Sequence, residues 1–263
     1  MIGANPRSAA LARALIQAGH PVTTVHPTEP MPSAKDLLVL LCAEDPAEAD
    51  RVLGALAPLP SRGIVNLTSH TSEQARETAE TVSTRGAGYL QGALMAHPEH
   101  VGVPDTLLVY SGSHQVFQQH EAVLRDLGSA TYLGEDAGVA PLYDVALLNL
   151  AWATLLGFLQ TAALLGTADV QARTVAPLLV HWLRTTVSDV ITDYADQIDD
   201  GSYPGDEEWL ELDFPLMGHL LQATEAHGLD TGLPTLVHSL TSRGIAAGNG
   251  HASFASLIDI IRA

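Results

Sequence analysis

The feature that most constrains the fold of this chain is a long stretch without charge, from Val145 to Gly166. A helix that spans a bilayer needs about 20 apolar residues, so this stretch is long enough to cross a membrane. No Lys or Arg cluster flanks it, and polar side chains interrupt it at Asn149, Thr154, Gln160 and Thr161. We therefore expect a helix buried on all sides by protein, which usually requires another helical layer or a second subunit.

The residues before and after Gly138 differ in pattern. Earlier, apolar runs typical of strands occur at Val22–Val25, Leu37–Cys42, Gly63–Leu67 and Leu107–Tyr110, with helical patterns between them at Ser8–Ala18, Pro46–Leu56 and Ser72–Thr84. Later, helical periodicity covers Ala140–Leu165, Gln171–Ile198, Glu207–Ala226, Leu233–Ala247 and Ser253–Ile261. The alternation predicts an α/β domain over residues 1–137 and an all-helical domain over residues 138–263, which begins with the long apolar helix.

The chain opens with a strand, turn, helix and strand in the order of a Rossmann nucleotide-binding unit. In that fold three glycines allow a tight turn, close approach of the pyrophosphate, and close packing of the helix on the strand. Here Gly3 supplies the first glycine, but Asn5 and Ser8 replace the second and third. Each replacement adds bulk where the cofactor or the strand should come close. The sequence therefore predicts a vestigial cofactor site at Gly3, Asn5 and Ser8.

Three further features indicate a truncated nucleotide fold. After its second strand such a fold offers an acid to the ribose or a base to the 2′-phosphate, but this chain has the loop His26–Pro32 and no Arg or Lys until Lys35. The next predicted strand begins at Leu37, which leaves no room for the usual helix and third strand. The first strand is reduced to Met1 and Ile2. Tight dinucleotide binding is not expected from these features.

The composition limits the classes of partner that we expect for this protein. Thirty acidic against twelve basic residues give a net charge of -18, which opposes binding to nucleic acid or to an anionic membrane. The single cysteine, Cys42, excludes an internal disulfide framework, and we expect it to be a buried strand residue. No basic and apolar signal segment follows Met1. We expect a cytoplasmic protein with a small-molecule partner, and neither nucleic acid nor membrane as a partner.

Twelve histidines raise the question of a metal site. His97 and His100 are three residues apart, but Pro98 lies between them, and no cysteine or further ligand set has the spacing of a zinc site. No Gly-x-Ser-x-Gly motif is present either. We expect no metal.

Several blocks of sequence, taken in order, are specific enough to indicate a family. These blocks are Val65–Ser69, Gly92–Pro98, Gly102–Asp105, Leu108–Ser113, Tyr132–Asp136, Leu142–Leu148, Gln197–Pro204 and Gly248–His251. They closely resemble the corresponding blocks of NADPH-dependent imine reductases and reductive aminases. Related β-hydroxyacid dehydrogenases place a lysine six residues after a glycine at the head of the long helix; here Asp144 stands six residues after Gly138, which matches the imine reductase pattern.

The resemblance implies a Rossmann domain, a long interdomain helix, and a helical domain that intertwines with that of a second subunit in a homodimer. It implies that Asp144 donates a proton to the imine or orients it, and that Thr68 and Ser69 lie near the nicotinamide of NADPH. It also places a group of residues beside the substrate: Tyr143, Trp152, Trp182, Met95 and His97. The chain departs from the family at Asn5 and Ser8, and at Pro27 where an arginine usually grips the 2′-phosphate.

Asp144 also stands out from the residues alone, because it is the one charged residue between Val139 and Ala168. A carboxylate in the first turn or so of a helix is stabilised by the helix macrodipole, so Asp144 could have a purely structural role. A carboxylate among Leu, Ala and Trp should be desolvated, and its pKa should rise toward the range useful for proton transfer. The second interpretation makes Asp144 the catalytic candidate, with Trp152 and Trp182 either in the core or against the substrate.

These observations leave three hypotheses. The leading one is an imine-reductase-like homodimer that has lost NADPH use, needs no cofactor, and performs acid/base chemistry such as cyclisation, isomerisation or dehydration on an imine, enamine or iminium-like molecule. The alternative is an authentic NADPH-dependent imine reductase. The third is a catalytically silent homologue that binds a ligand.

Overall fold

The computed structural model describes residues 1–31, 33 and 36–263. Pro32, the last residue of the predicted loop, and Lys35, the next basic residue, lie outside this part. The chain forms two compact units, Met1–Ala151 and Trp152–Ala263. The domain boundary predicted before residue 138 stays a prediction.

The described residues of the first unit form an α/β fold. Its strands are β1 (Val39–Leu41), β2 (Ile64–Asn66), β3 (Tyr89–Leu94), β4 (Leu107–Gly112) and β5 (Ser129–Tyr132). They lie side by side in this order; all neighbours are parallel except β3 and β4. Its helices are α1 (Pro6–Gln17), α2 (Pro46–Ala55), α3 (Ser72–Thr84) and α4 (His114–Arg125), followed by the start of α5 (Val139–Gly166). The predicted truncated Rossmann-like fold is confirmed.

Ile2 keeps the place of the first Rossmann strand. It pairs in parallel with Leu41 of β1 on one side and with Val25 on the other. Its N–H donates to the Leu40 carbonyl at 2.8 Å, and its carbonyl accepts from Cys42 N–H at 2.9 Å. The predicted strand Val22–Val25 contributes only Val25 to this pairing. Between Val25 and β1 the described residues form no helix or strand, as the short spacing predicts.

Alternate residues of the strands pack on the two faces of the sheet. Val39, Leu41 and Ile64 face one cluster, which α2 and α3 complete with Ala49, Val52, Leu53 and Val82. Leu40, Val65 and Leu90 face the other, which α1 and α4 complete with Leu11, Leu15, Val116, Phe117 and Leu124. This period of two follows from strand geometry. The helices on both faces leave the ends of the strands open for a site.

The helix α5 is the long apolar stretch, and within one chain it is not buried. Only Ala140 and Pro141 at its start are buried. Leu155 is 52% exposed and Leu159 is 61% exposed. By length and composition α5 is also the helix, among the described residues, that could cross a membrane, although core helices of soluble proteins meet the same criterion. The predicted burial of α5 on all sides is therefore not found within the single chain.

The second unit is helical, as predicted. Beyond α5 its helices are α6 (Ala172–Trp182), α7 (Ser188–Asp200), α8 (Leu210–Ala226), α9 (Gly232–Gly244) and α10 (Leu257–Arg262). A π-helical turn, Leu183–Val187, joins α6 to α7, and a second one, Ile245–Asn249, follows α9. The predicted helical periodicity thus matches the described residues throughout this unit.

Two carboxylates of the second unit share a proton. The hydrogen bond to Glu208, then burial, then the charge of Glu208 raise the pKa of Asp213 to about 6. Burial alone would raise the pKa of Glu208, but hydrogen bonds from Asp213, from the Tyr194 hydroxyl at 2.7 Å and from the Phe254 N–H at 3.2 Å hold it below its usual range. Because the proton resides on Asp213, this pairing stabilises the fold at low pH and is lost as the pH rises through about 6.

Asp213→Asn is therefore expected to make stability less dependent on pH. The amide keeps a donor toward Glu208 but adds no second charge, so the variant should melt a few degrees above the wild type at high pH, given about 2–4 °C per kcal/mol in a chain of this size. At pH 5, where Asp213 is protonated, the difference should vanish. Thermal unfolding at the two pH values checks this, and an equal difference at both would contradict the shared proton.

Candidate functional site

The carboxyl ends of neighbouring parallel strands meet at one edge of the sheet, where α/β folds bind their ligands. Ile2 leads there into Gly3, β1 into Cys42 and Ala43, and β2 into Thr68 and Ser69. Burial, above all, raises the pKa of the Cys42 thiol to about 11, so Cys42 is a packed thiol with little nucleophilic character, as predicted.

Asp144 lies at this edge, in contact with the loop after β2. The Ser69 hydroxyl donates to Asp144 Oδ2 at 3.2 Å. Asp144 is partly buried, and this desolvation raises the pKa of its carboxyl, against the Ser69 hydrogen bond and the positive charge of Arg7, which lower it. The helix macrodipole acts mainly on the first turn of α5, and Asp144 lies beyond that turn. The macrodipole therefore gives little support to a purely structural role for Asp144. The group can hold a proton and release it to a neighbour.

The start of α5 is anchored to the sheet. The Ser72 hydroxyl donates to the Gly138 carbonyl at 2.8 Å. The Ser111 hydroxyl donates to the Ala137 carbonyl at 3.0 Å and accepts from Ala140 N–H at 2.9 Å. These bonds fix the first turn of the helix, and therefore fix where Asp144 projects in the next turn.

A buried polar network holds Ser69 in place. Thr68, next to it, is 2% exposed: its N–H donates to Asn66 Oδ1 at 3.0 Å, its hydroxyl accepts from Ala43 N–H at 2.9 Å, and its carbonyl accepts from Gln91 Nε2 at 2.9 Å. The Tyr89 hydroxyl joins Asn66 to Gln91. Thr68 thus has a structural role here, while the exposed Ser69 faces the site.

His70 brings an unpaired acceptor to the same loop. Its Nδ1 lies 2.9 Å from the Thr68 carbonyl, so Nδ1 carries the proton and Nε2 keeps its lone pair. Nε2 is buried and finds no hydrogen-bond partner among the described residues. A buried polar atom without a partner is costly in a folded protein, and ligand sites are one place where it is tolerated.

The nucleotide turn is closed on itself by the two residues that replace glycines. Asn5 Oδ1 accepts from Ser8 N–H at 2.8 Å, and Ser8 Oγ accepts from Asn5 N–H at 3.1 Å, which forms a capping box at the start of α1. Asn5 Nδ2 donates to the carbonyls of Cys42 and Ala43 at 3.0 and 3.1 Å. Ser8 is buried. The predicted extra bulk is therefore folded back onto the backbone.

Gly3 and Arg7 complete the turn. A Cβ on Gly3 would overlap the Cys42 carbonyl oxygen and lie 2.6 Å from Ser8 Cβ, so this glycine is required by packing. Pro6 has no N–H, and the N–H groups of Asn5 and Ser8 are already bonded. The turn thus has fewer free donors than a glycine turn, but the exposed Arg7 guanidinium adds a cation close enough to lower the pKa of both Cys42 and Asp144.

The predicted substrate residues have different surroundings. Met95 is partly buried and packs with Ala93, Val109 and Ala140, one helical turn before Asp144. Tyr143 and His97 are exposed. Trp152 and Trp182 belong to the second unit and are 67% and 53% exposed, so neither is a core residue within the chain. Among the described residues no group of three or more His, Cys, Asp or Glu side chains could hold a metal.

Comparison with known proteins gives a consistent result. Residues 136–263 match the family model of the C-terminal domain of NADPH-dependent reductive aminase-like proteins. The NADPH-dependent reductive aminase of Aspergillus oryzae is 33% identical over 234 residues, which are 88% of this chain and 79% of that protein.

Solved structures agree with this. A reductive aminase from Aspergillus terreus, in complex with NADPH4, cyclohexanone and allyl amine, has a TM-score of 0.87 at 31% identity, covering 99% of this chain and 98% of that one. The V8 variant of an imine reductase from Myxococcus stipitatus, in complex with NAD+, has a TM-score of 0.87 at 27% identity, covering 99% and 97%.

Proposed function

The chain belongs to the imine reductase and reductive aminase family, and on that premise we propose that it reduces the C=N bond of an imine or iminium substrate, with Asp144 as the proton donor. The observation that carries the proposal is the partly buried Asp144 carboxyl bonded to Ser69 at the carboxyl edge of the sheet. An acid with a raised pKa, at the same edge as a turn that would bind a nicotinamide nucleotide, provides the proton that this reaction requires.

The relatives favour this function over the leading hypothesis from the sequence. The aminase of Aspergillus oryzae is NADPH-dependent, and the Aspergillus terreus enzyme was solved with a nicotinamide nucleotide. They give no support to the expected loss of the cofactor, or to a cyclase. The non-redox reaction and the silent homologue become outcomes of the experiment below.

The residues present fit the pyrophosphate half of a dinucleotide. Gly3 keeps the tight turn, Asn5 and Ser8 are folded back, and Arg7 offers a guanidinium at the start of α1, where the helix dipole also favours an anion. The exposed Ser69 would contact the nicotinamide end. When bound, the reduced nucleotide supplies the hydride.

Each residue of the site has a separate task in this proposal. Asp144 holds the proton and gives it to the substrate nitrogen. Ser69 donates to the Asp144 carboxylate, which stabilises the charged form after the proton leaves. Arg7 balances negative charge at the same edge.

The substrate residues are proposed from the family resemblance and from their exposure. Trp152 and Trp182 would present aromatic faces to an iminium cation, an interaction worth about 0.5–2 kcal/mol. Tyr143, Met95 and His97 would contact substrate on the side of Asp144. Substrate contact accounts for exposed indole rings that packing within the chain does not cover.

A homodimer is proposed from the exposed apolar surface of α5. The stretch Val145–Gly166 carries no charge, and the side chains of Leu155, Leu156 and Leu159 are each more than half exposed. An apolar surface of this size marks an interface with a partner. A second copy of the same helix would cover it and leave no apolar helix for a membrane. On this basis we propose a cytoplasmic location.

Leu159→Asp is expected to break this dimer. A carboxylate in the centre of an apolar interface would be desolvated, which costs several kcal/mol per buried ion, on the order given for buried charges. Light scattering during gel filtration should give twice the chain mass for the wild type and a smaller mass, or loss to aggregation, for the variant. Val103→Asp, at an exposed apolar residue of the first unit, is the matched control and should remain dimeric. A monomeric wild type would refute the proposal.

The function itself is tested with purified protein, a simple cyclic imine and a reduced nicotinamide nucleotide. Loss of the nucleotide absorbance at the rate at which amine appears supports the proposal. Conversion of the imine without nucleotide oxidation would show non-redox chemistry instead. Ligand binding without any product, over a panel of imines and of ketone and amine pairs, would show a silent homologue.

A further inference from the structure

We infer that the nucleotide selected by this chain carries a free 2′-hydroxyl, as in NADH, and not the 2′-phosphate of NADPH. The inference rests on the proposed function, since it specifies the cofactor of the same site. It depends on the turn that follows Val25, defined here as the 2′ corner, residues His26–Glu29. In a Rossmann fold the group on the 2′ carbon is read directly after the second strand.

Val25 occupies the place of the second strand of a Rossmann fold. It pairs in parallel with Ile2, and its N–H donates to the Met1 carbonyl at 2.9 Å. On its opposite side, Ile2 pairs with Leu41 of β1. The topology therefore puts the 2′ corner where the adenosine ribose binds, and puts the glycine turn, with Arg7, at the pyrophosphate.

The 2′ corner offers no cationic side chain to a phosphate. His26 Nδ1 lies 2.7 Å from the Thr28 hydroxyl and accepts from Thr28 N–H, so these polar groups are paired with one another. Pro27 is buried and has no N–H to donate. A dianionic 2′-phosphate needs charge-assisted donors, most often from arginine, to offset its loss of water.

An acid occupies the corner instead. The Glu29 N–H donates to the His26 carbonyl at 2.9 Å, which closes the turn, and the exposed Glu29 carboxylate accepts from His26 N–H at 3.4 Å. A carboxylate here repels a phosphate but can accept hydrogen bonds from ribose hydroxyls, which is how NAD-binding folds recognise the unphosphorylated ribose. Glu44 and Asp45, directly beyond β1, add further negative charge at the same edge.

Arg7 does not replace the missing cation. Its charge lowers the pKa of Cys42, which follows β1, and of Asp144, which contacts the loop after β2. In the sheet, Ile2 lies between Val25 and β1, the strand that Cys42 follows. Arg7 therefore acts at the pyrophosphate and the reacting end, and both NADH and NADPH present the same groups there.

The test is calorimetric titration of the full-length protein with NADH and with NADPH, so that no turnover is needed. NADH is expected to bind about 10-fold tighter or more, the ratio that one unpaired charged group produces. In Thr28→Arg, an exposed position next to Pro27, NADPH should gain about 10-fold or more while NADH changes little. Thr28→Gln, similar in length but uncharged, is the matched control and should keep the wild-type ratio.

The other outcomes separate this inference from the proposed function. If NADPH binds as tightly as NADH or tighter, the inference is wrong and the reductase stands; loss of that binding in Lys35→Ala would then identify the cation responsible. An unchanged ratio in Thr28→Arg would also overturn the assignment of the 2′ corner. If neither nucleotide binds, the proposed reductase fails together with the inference.

Discussion

Asp144→Asn is expected to lower turnover of an imine about 10²- to 10⁴-fold, the usual contribution of a positioned general acid. The amide has the same shape and can still accept a hydrogen bond from Ser69, but it has no acidic proton to give. Nucleotide affinity should be unchanged, because no contact between Asp144 and the glycine turn would be lost. Steady-state rates and a calorimetric titration of the same preparation separate the two effects.

The pH dependence of turnover is a second test of the role of Asp144. Burial favours the protonated form of Asp144 and raises its pKa, so turnover should fall as the pH rises through that raised pKa. Ser69→Ala removes a bond that stabilises the charged carboxylate, and should therefore move the fall to higher pH while the protein still turns over. Full activity in Asp144→Asn, or a profile in Ser69→Ala that moves to lower pH, would contradict the assignment.

Loss of activity in Asp144→Asn should not come from unfolding. A partly desolvated carboxylate whose pKa is raised in the folded state costs stability above that pKa, so removing its charge should leave the melting temperature at neutral pH equal or slightly higher. A lower melting temperature would instead show that the charged carboxylate of Asp144 stabilises the fold.

The sequence was sufficient for elements whose periodicity is regular and whose ends are capped. Ser72–Thr84 was predicted with the bounds of α3, because Thr71 and Gln74 form a capping box in front of an amphipathic run. β3 was not predicted, because Gln91 and Gly92 interrupt its apolar run. β5 and α4 were also missed: β5 is short and polar, and α4 is rich in His and Gln. Their burial is decided by neighbouring strands, which a local pattern does not contain.

The site was predictable in its residue types but not in its contacts. Asp144 stands out as one charge in an apolar run, whereas its bond to Ser69 joins residues 75 positions apart and depends on how α5 meets β2. Arg7 carries no signal of its own in the sequence, because an exposed cation in the first turn of a helix is common, and its role depends on its closeness to Asp144 in the fold. The signal for the buried network was present: Asn66 and Gln91 are polar residues inside strands that are otherwise apolar, and such residues are usually hydrogen bonded.

The glycine turn can be tested apart from the acid, because Gly3→Ala should damage both the fold and the cofactor site. Its Cβ would overlap the Cys42 carbonyl oxygen, which Asn5 Nδ2 holds at 3.0 Å, so relief of the overlap has to pull the turn away from the end of β1. Overpacking of this kind costs about 1–3 kcal/mol, and the lost Asn5 bonds add about 1 kcal/mol each. We expect a melting temperature lower by about 5–15 °C and no measurable nucleotide binding.

Gly54→Ala is the matched control, with the same chemical change in a different place. Gly54 lies exposed in α2, and a Cβ there meets nothing within 4 Å. An alanine in a helix is favoured over glycine by about 1 kcal/mol, so this variant should melt slightly higher than the wild type and bind nucleotide normally. Opposite signs for the two Gly→Ala changes would show that the turn at Gly3 is held by close packing against β1. If Gly3→Ala melts and binds nucleotide like the wild type, the turn can accommodate a side chain at Gly3. The capping box of Asn5 and Ser8 would then have no role in shaping the pyrophosphate site.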